Sequence, residues 1–288
     1  MFAKSQKKQH PLQVWWYLEK QNITPFVGFV ILAIINHKLF KMKKFVIFII
    51  LFTSSFGFSQ DDFFVKLHYI TYKNSDAKDV IDHEKNYFSK VHKANINAGQ
   101  KIAWDMWQVQ NPKEKGHTTF VYAHLTPFEK VGSSGIKPTD IFPEAEWSSA
   151  MKSRPKAIRS RTIETVFKGG FVPAAGQKPT NYVVLNFMDV KKSAYEYEKM
   201  ELNRFMPIHK KNKFIKGWGL HKVVYPLAMP FGQDKTDYIT ADFYESYRDI
   251  MKRYSETPKP SNSPQEVPMG EIRENLRQEV FRLVLSER

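Results

Sequence analysis

The sequence predicts an α+β fold in which one βαββαβ unit occurs twice along the chain. Several blocks of residues recur in the same order, offset by 114 to 118 positions. Within each copy, apolar residues are spaced first by two, then by three or four, and then again by two. Residues 167–181 have the glycine, proline and alanine content of a connection, and we take 171–181 as the linker between the copies.

The clearest recurring block is a Glu-x3-Phe-x3-His pattern in a helical stretch, followed by a tryptophan. It comprises Glu84, Phe88, His92 and Trp104 in the first copy, and Glu201, Phe205, His209 and Trp218 in the second. Further matches pair Pro112 with Pro226, Phe120 with Tyr238, and Ile158 with Ile272. Insertions and deletions between these blocks fall where loops are expected, so we interpret the chain as a tandem repeat.

The first copy opens with a half-buried strand, because Val65, Leu67 and Tyr69 alternate with polar residues. From Val80 to Val91 the apolar residues recur at steps of three and four, which predicts a helix. The remaining elements of this copy are strands near Trp104 and Phe120, a helix at 144–154 and a strand at 162–168.

The second copy follows the same order, starting with a strand in which Val183, Leu185 and Phe187 alternate with other residues. Its first helix is expected to end or kink at about Met206, because Pro207 lacks a backbone donor and clashes inside a helix. The remaining elements of this copy are strands near Trp218 and Tyr238, a helix at 245–256 and a strand at 278–285.

The order β-α-β-β-α-β is that of the split βαβ or ferredoxin-like module. Helices cover only one face of its sheet, so the other face needs a partner. We therefore predict two tandem ferredoxin-like modules, residues 61–170 and 182–288, packed sheet to sheet as a pseudo-dimeric α/β barrel.

The N-terminal region has the features of a targeting segment. After Met42, two lysines precede a short apolar run from Phe45 to Phe52, and small and polar residues follow, as in a secretory signal peptide. We predict that residues 42–60 are this signal and that residues 1–41 are an upstream extension of the reading frame, disordered or membrane-like. A two-helix membrane hairpin is the alternative, because residues 25–35 are also apolar. We expect a periplasmic or secreted protein with no stable membrane anchor after cleavage.

The composition and the absence of certain motifs exclude several classes of function. The net charge is +15, but the first 60 residues carry eight lysines and one acid, and the other basic residues are scattered. No nucleic-acid-binding motif is present, so we expect no nucleic-acid partner. The chain has no cysteine, which excludes disulfides, thiolate nucleophiles and iron-sulfur clusters. It also lacks the usual zinc-hydrolase, serine-hydrolase and phosphate-loop motifs.

With these elements placed, the chain resembles the dimeric α/β-barrel superfamily. The segment Phe205-x-Pro207-x-His209, followed by Gly217-Trp218, is most similar to the NIPSNAP-type branch. The first copy departs from this pattern, with Ser89-Lys90-Val91 and Ala103 at the corresponding positions. The resemblance implies a fold rather than a reaction, because the superfamily includes cofactor-free monooxygenases, haem-dependent enzymes, isomerases, dehydratases and proteins without known activity.

Alternation along the strands separates two faces of each sheet. We expect the uniformly apolar set, Val121, Ala123, Leu125, Ile239, Ala241 and Phe243, to lie under the helices. The mixed face should then line the space between the sheets. The candidate ligand-binding residues on it are His68, Tyr122, His124, Asn186, Tyr238 and Asp242.

Aromatic walls with a few polar groups favour a small hydrophobic or aromatic ligand between the two sheets. The function expected is binding of such a molecule, without an assigned activity. The alternative is a cofactor-free or haem-dependent monooxygenase-type enzyme, with His68 or His124 as base, proton donor or haem ligand. The competing interpretation is that these side chains only pack against their neighbours.

For His92 and His209 we expect a structural role at a helix C-terminus, where a cationic side chain is favourable.

Overall fold

A computed structural model describes residues 63–111, 114–171, 180–225, 235–256 and 269–288. The predicted signal peptide, residues 1–41, most of the predicted linker, Pro112 and Pro226 lie outside the described residues. No helix in the described part of the chain combines the length and apolar character needed to cross a membrane.

Eight strands form the frame of the molecule. They are β1 (Phe63–Lys73), β2 (Ala103–Val109), β3 (His117–Pro127), β4 (Arg159–Phe171), β5 (Tyr182–Val190), β6 (Ile215–Tyr225), β7 (Tyr238–Tyr244) and β8 (Arg273–Glu287). All pair antiparallel and close into a barrel in the order β1-β3-β2-β8-β5-β7-β6-β4. The first four strands thus follow the order β4-β1-β3-β2, and the last four follow β8-β5-β7-β6. The predicted α+β barrel is confirmed at this level.

The helices fall between the strands at the places the periodicity indicates. They are α1 (Ala77–His83), α2 (Ser89–Asn97), α3 (Glu144–Ser153), α4 (Ala194–Met200), α5 (Met206–Lys211), α6 (Tyr247–Ser255) and the short α7 (Met269–Ile272). A π-helical turn joins α1 to α2 at Glu84–Phe88, and another joins α4 to α5 at Glu201–Phe205. The irregularity expected near Met206 is therefore present, because the wide turn ends there and Pro207 lies in the first turn of α5.

The core has an inner part and two outer parts. One apolar cluster draws on strands of both halves and fills the barrel; it includes Val65, Leu67, Val121, Ala123, Val183, Leu185, Ile239 and Ala241. A second cluster lies between the first-half sheet and its helices, around Val80, Trp104 and Tyr122. The third occupies the equivalent place in the second half, around Tyr197, Trp218 and Tyr238.

This arrangement reverses the predicted assignment of the two faces. The apolar set Val121, Ala123, Leu125, Ile239, Ala241 and Phe243 packs inside the barrel and not under the helices. The assignment was wrong because alternation separates the two faces of a strand but does not show which of them points into the barrel. Helices supply hydrogen-bonding partners, so the mixed face can lie beneath them.

An ion pair joins a buried glutamate to an arginine in each half, with Arg154 just after α3 and Arg273 at the start of β8. Arg154 Nη2 lies 2.9 Å from Glu84 Oε1 in the first half, and Arg273 Nη1 lies 2.7 Å from Glu201 Oε1 in the second. Both glutamates belong to the π-helical turns and are buried. Burial raises the pKa of Glu84 to about 7 despite Arg154, and it also raises the pKa of Glu201.

The junction between β4 and β6 depends on glycine. Gly170 lies opposite Gly219 in this pairing, where the two halves of the barrel meet. A Cβ atom on Gly170 would lie 2.1 Å from the carbonyl oxygen of Trp218 and 2.9 Å from Gly219 Cα. These contacts are to backbone atoms, which cannot rotate away. Gly170 is therefore a position where the backbones of two strands approach too closely for any side chain.

We predict that Gly170→Ala lowers the free energy of unfolding by roughly 1 to 3 kcal/mol or more, because the methyl group forces β4 and β6 apart. Urea-induced unfolding followed by circular dichroism measures this change. Gly270→Ala is the control, since a Cβ there meets nothing within 4 Å. Equal stabilities of the two variants would contradict the close packing of the junction.

Candidate ligand-binding site

The six predicted site residues do not meet between the sheets. His68, Tyr122 and His124 lie on the helix-covered face of the first half, whereas Asn186, Tyr238 and Asp242 lie on that of the second half. Ring contacts define the first group: His68 to Tyr122 at 6.3 Å, and His124 to His92 of α2 at 5.1 Å. In the second group, Asp242 faces His209 of α5. The structure therefore contains two polar clusters, one for each half.

In the first half, Lys101 is the centre of the cluster. Its Nζ lies 3.1 Å from Nδ1 of His92 and 3.0 Å from Nδ1 of His124. An ammonium group only donates, so both Nδ1 atoms accept and each ring carries its proton on Nε2. His92 also stacks on Trp104, with ring centroids 4.7 Å apart, which fixes the imidazole against the sheet.

Local structure explains the position of Lys101. Helix α2 ends at Asn97, and Gly99 reverses the chain at a φ of 68°, a conformation that favours glycine. The amide of Gln100 donates to the carbonyl of Asn95, and that of Ile102 donates to the carbonyl of Leu125. The turn is thus held by α2 on one side and by β3 on the other, which keeps the lysine between the two histidines.

Burial without a carboxylate partner sets the charge state of this cluster. Among the described residues, no aspartate or glutamate forms an ion pair with Lys101. Burial, together with the charge of Lys66, lowers the pKa of Lys101 from 10.5 to about 8. Burial and the adjacent Lys101 lower the pKa of His92 to about 3. The same two causes hold the pKa of His124 well below its ordinary value, so both imidazoles are neutral at pH 7.

A cavity of about 190 Å³ opens beside Lys101. Its lining consists of Phe64, Asn95, Gln100, Lys101, Thr126, Lys130, Val131, Gly132, Ser133 and Gly135. We call this the Lys101 pocket. The lining contains two lysines and no carboxylate, so the pocket is electropositive, and Phe64 and Val131 give it apolar walls.

One wall of the Lys101 pocket is the Gly-Ser-Ser-Gly insertion after Val131, which the second copy lacks. Asn95 anchors this loop, because its Oδ1 accepts from the amide of Ile136 at 3.0 Å and its Nδ2 donates to the Ile136 carbonyl at 3.2 Å. Ser133 donates to Gln100 Oε1 at 3.0 Å. A Cβ on Gly135 would lie 2.1 Å from Asn95 Oδ1, so this close approach requires glycine.

The cluster of the second half is largely satisfied by its own members. Asn186 donates to Asp242 at 3.0 Å and to Thr240 at 3.2 Å, and Gln278 donates to Asn186 Oδ1 at 2.6 Å. Tyr238 donates to Glu198 at 2.8 Å. These bonds describe a structural network between sheet and helices.

His209 completes the second cluster. Its ring stacks on Trp218 with centroids 5.5 Å apart, and its Nδ1 lies 3.8 Å from Asp242 Oδ1. Burial lowers the pKa of His209 to about 4 and raises the pKa of Asp242 to about 6. At pH 7 the imidazole is therefore neutral and the carboxyl is mostly ionised.

The predicted helix-capping role of the two histidines needs correction. His209 does lie in the last turn of α5, but His92 lies within α2, which continues to Asn97. Both rings are neutral and stacked on tryptophan, so a cation at a helix terminus does not describe them. The expected position is therefore correct for His209 and wrong for His92, because the first-half helix continues past it to Asn97.

Sequence reasoning missed Lys101, which lies in a turn outside every periodic pattern. The repeat itself contains a signal for it. With the offset that matches Trp104 to Trp218, Lys101 corresponds to Ile215, a buried apolar residue. A lysine in one copy at the position of a core isoleucine in the other indicates that this position has a different role in the two copies.

A haem does not fit the described residues near the predicted histidines. The space around His68 and His124 is filled by Trp104 and Tyr122, which are 0% and 4% exposed. The Lys101 pocket is smaller than the roughly 300 to 1,000 Å³ of pockets for drug-sized ligands. A larger cavity of about 480 Å³ is lined by Lys93 and residues 283–288, which include no histidine for an axial bond. The described residues also contain no group of three metal-binding side chains placed around one point.

Comparison with known proteins identifies no family. No protein-family model and no curated protein matches the chain. A Fusobacterium nucleatum protein proposed to be a monooxygenase matches at a TM-score of 0.49 and 7% identity, over 78% of this chain and 94% of that one. An anthrone oxidase-like protein matches at 0.45 and 10%, over 80% and 94%. A haem-binding protein from Thermus thermophilus matches at 0.42 and 12%, over 77% and 91%. At such low TM-scores and sequence identities, the likeness does not extend to function.

We predict that wild-type protein gains stability relative to Lys101→Met between about pH 8 and pH 10.5. The folded-state pKa of Lys101 lies below its ordinary value, so its contribution to stability is fully present above pH 10.5 and is lost as pH falls through 8. The relative change should be on the order of 2 kcal/mol. Urea unfolding across this pH range measures it.

Lys137→Met is the control, because this lysine is exposed on the same loop. The stability difference between wild type and the control should stay flat over the same interval. A flat difference for Lys101→Met as well would show that the amine is not desolvated.

Proposed function

We propose that the protein binds a small anionic molecule with an apolar or aromatic body, and that the Lys101 pocket is the binding site. The observation that carries this proposal is the lining of the pocket, which has two lysines and no carboxylate. Desolvation of an ammonium group without a counter-ion is unfavourable, and a bound anion relieves it. A cavity of roughly 150 Å³ holds benzene, so about 190 Å³ accommodates a ligand the size of benzoate.

Different residues of the pocket would bind the charged end and the apolar body of such an anion. Lys101 gives two N–H groups to His92 and His124, and its third N–H is available to a carboxylate in the pocket. Lys130 adds a second positive charge, while Phe64 and Val131 contact the apolar body. A bound anion raises the pKa of Lys101, so binding should weaken as pH rises above 8.

This proposal retains the small aromatic ligand of the sequence-based prediction but moves it away from the barrel interior. The interior is filled by apolar side chains of both halves, including Leu67, Val121, Phe187 and Phe281. The haem-dependent form of the oxygenase alternative has less support in the described residues, since the space around the histidines does not fit a haem. We propose a binding protein as the primary role.

We further propose that the two halves are ferredoxin-like modules that derive from a duplication, in a branch similar to the NIPSNAP proteins. Three features support this proposal. The strand order recurs in the two halves. A buried glutamate in a π-helical turn binds an arginine in each half. A helix histidine stacks on the tryptophan of the next strand in each half, as His92 on Trp104 and His209 on Trp218.

Export by residues 42–60 is part of the same proposal and has a direct test. Mass spectrometry of protein purified from its native cells should find a mature N-terminus at Gln60 or Asp61, because cleavage is expected after Ser59 or Gln60. No peptide from residues 1–41 should be detected. A peptide from that range would contradict initiation at Met42.

Isothermal titration calorimetry with benzoate tests the binding proposal. We predict that benzoate binds with one site per chain and at least tenfold more tightly than benzyl alcohol, which has a similar size but no charge. Lys101→Met should weaken benzoate binding by roughly tenfold or more, which corresponds to about 1.4 kcal/mol. The control variant Lys137→Met should bind as wild type does.

Equal affinity for benzoate and benzyl alcohol would contradict an electropositive site. Unchanged benzoate affinity in Lys101→Met would contradict its location. A fall in affinity between pH 7 and pH 9.5 is expected, since Lys101 loses its charge over that interval.

A further inference from the structure

Lys101 combines three features of a reactive amine. It is one of the residues that line a cavity of about 190 Å³. In the described residues it has no carboxylate partner, and Lys66 adds like charge nearby. Both of its hydrogen-bonding partners are imidazole nitrogens, which accept from an ammonium group or from a neutral amine alike.

The hydrogen bonds also orient the neutral form of the amine. A neutral amine has two hydrogens and one lone pair. With one hydrogen donated to His92 Nδ1 and the other to His124 Nδ1, the lone pair is left free of these partners. An amine in this arrangement is held ready for attack on an electrophile that enters the pocket, with the two histidines as positioning residues.

We propose that Lys101 is a nucleophile that condenses with a small carbonyl compound, an aldehyde or 2-oxo acid, bound in the Lys101 pocket. The inference rests on the proposed function, because it uses the same pocket and names the class of anion that enters it. A carboxylate of the ligand pairs with Lys130, while its carbonyl carbon lies against Lys101.

The reaction balances without an oxidant or reductant. The ammonium group first releases one proton to solvent. The Nζ lone pair then forms a bond to the carbonyl carbon, and the carbonyl π electrons move to the oxygen. That oxygen gains a proton as the nitrogen loses one, which gives a carbinolamine. Loss of water, with a second proton taken up on the departing hydroxyl, leaves a C=N bond between Lys101 and the ligand.

The protonation of Lys101 favours its reaction. Burial and the charge of Lys66 lower its pKa to about 8. Relative to an ordinary lysine, its neutral fraction at pH 7 is therefore larger by roughly 300-fold. Lower basicity reduces intrinsic nucleophilicity, so we expect a smaller preference for Lys101, of at least tenfold in rate.

Reductive trapping of the full chain tests this inference. The protein is incubated at pH 7 with 4-carboxybenzaldehyde and cyanoborohydride, and the adducts are mapped by peptide mass spectrometry. The expected result is one adduct per chain on Lys101, formed at least tenfold faster than on exposed Lys137. Excess benzoate should suppress it, because it occupies the same pocket. The rate should rise with a midpoint near pH 8.

Measurements on the wild type separate this inference from the proposed function. Lys101→Arg keeps the positive charge but cannot form the imine, so it should give no specific adduct. In wild type, Lys101-dependent benzoate binding together with adducts spread evenly over exposed lysines would overturn the inference alone. A Lys101 adduct that benzoate does not suppress, with no benzoate binding, would overturn the proposed function alone.

Discussion

The apolar filling of the closed barrel is the constraint on which the rest of the structure depends. Eight strands enclose a space that their own side chains just fill. Valine, leucine, alanine and isoleucine from both halves occupy it. Since successive residues of a strand point to opposite faces, every polar residue that alternates with them must point outward, under the helices. The cluster around Lys101 and the cluster around Asp242 therefore lie between sheet and helix, where helix side chains contact them.

The two halves share some of the contacts that polar groups make beneath the helices and differ in others. Each buries a glutamate in a π-helical turn against an arginine, and each stacks a helix histidine on a tryptophan. In the second half, Asn186 donates to Asp242 Oδ2 and Gln278 donates to Asn186, whereas Asp242 Oδ1 has no hydrogen-bond partner among the described residues. In the first half, a lysine and a histidine replace apolar and acidic residues, and a glycine-containing insertion adds a pocket wall. A buried lysine without a carboxylate partner is energetically unfavourable, and locally unfavourable arrangements of this kind are typical of functional sites.

Much of this architecture could be predicted from the sequence, because it depends on periodicity and repetition. The alternation around Val65 and Val183 and the helical spacing after Val80 are local signals, and the structure has strands and helices at these places. Which face of a strand points inward is not a local property. Tyr122 and Val121 both belong to apolar clusters, so composition alone could not decide which of them fills the barrel. Lys101 was unpredictable from periodicity because it lies in a turn, and only the tertiary fold brings it between His92 and His124.

The central claim is that Lys101 is a desolvated amine held between two neutral imidazoles. An NMR titration of its ¹³Cε and ¹⁵Nζ resonances, assigned by their loss in Lys101→Arg, measures this state directly. The account predicts a midpoint near pH 8, a His92 pKa of about 3 and a His124 pKa well below the ordinary 6.5. A lysine midpoint above 10, with both histidines titrating near 6.5 as in a model peptide, would contradict it.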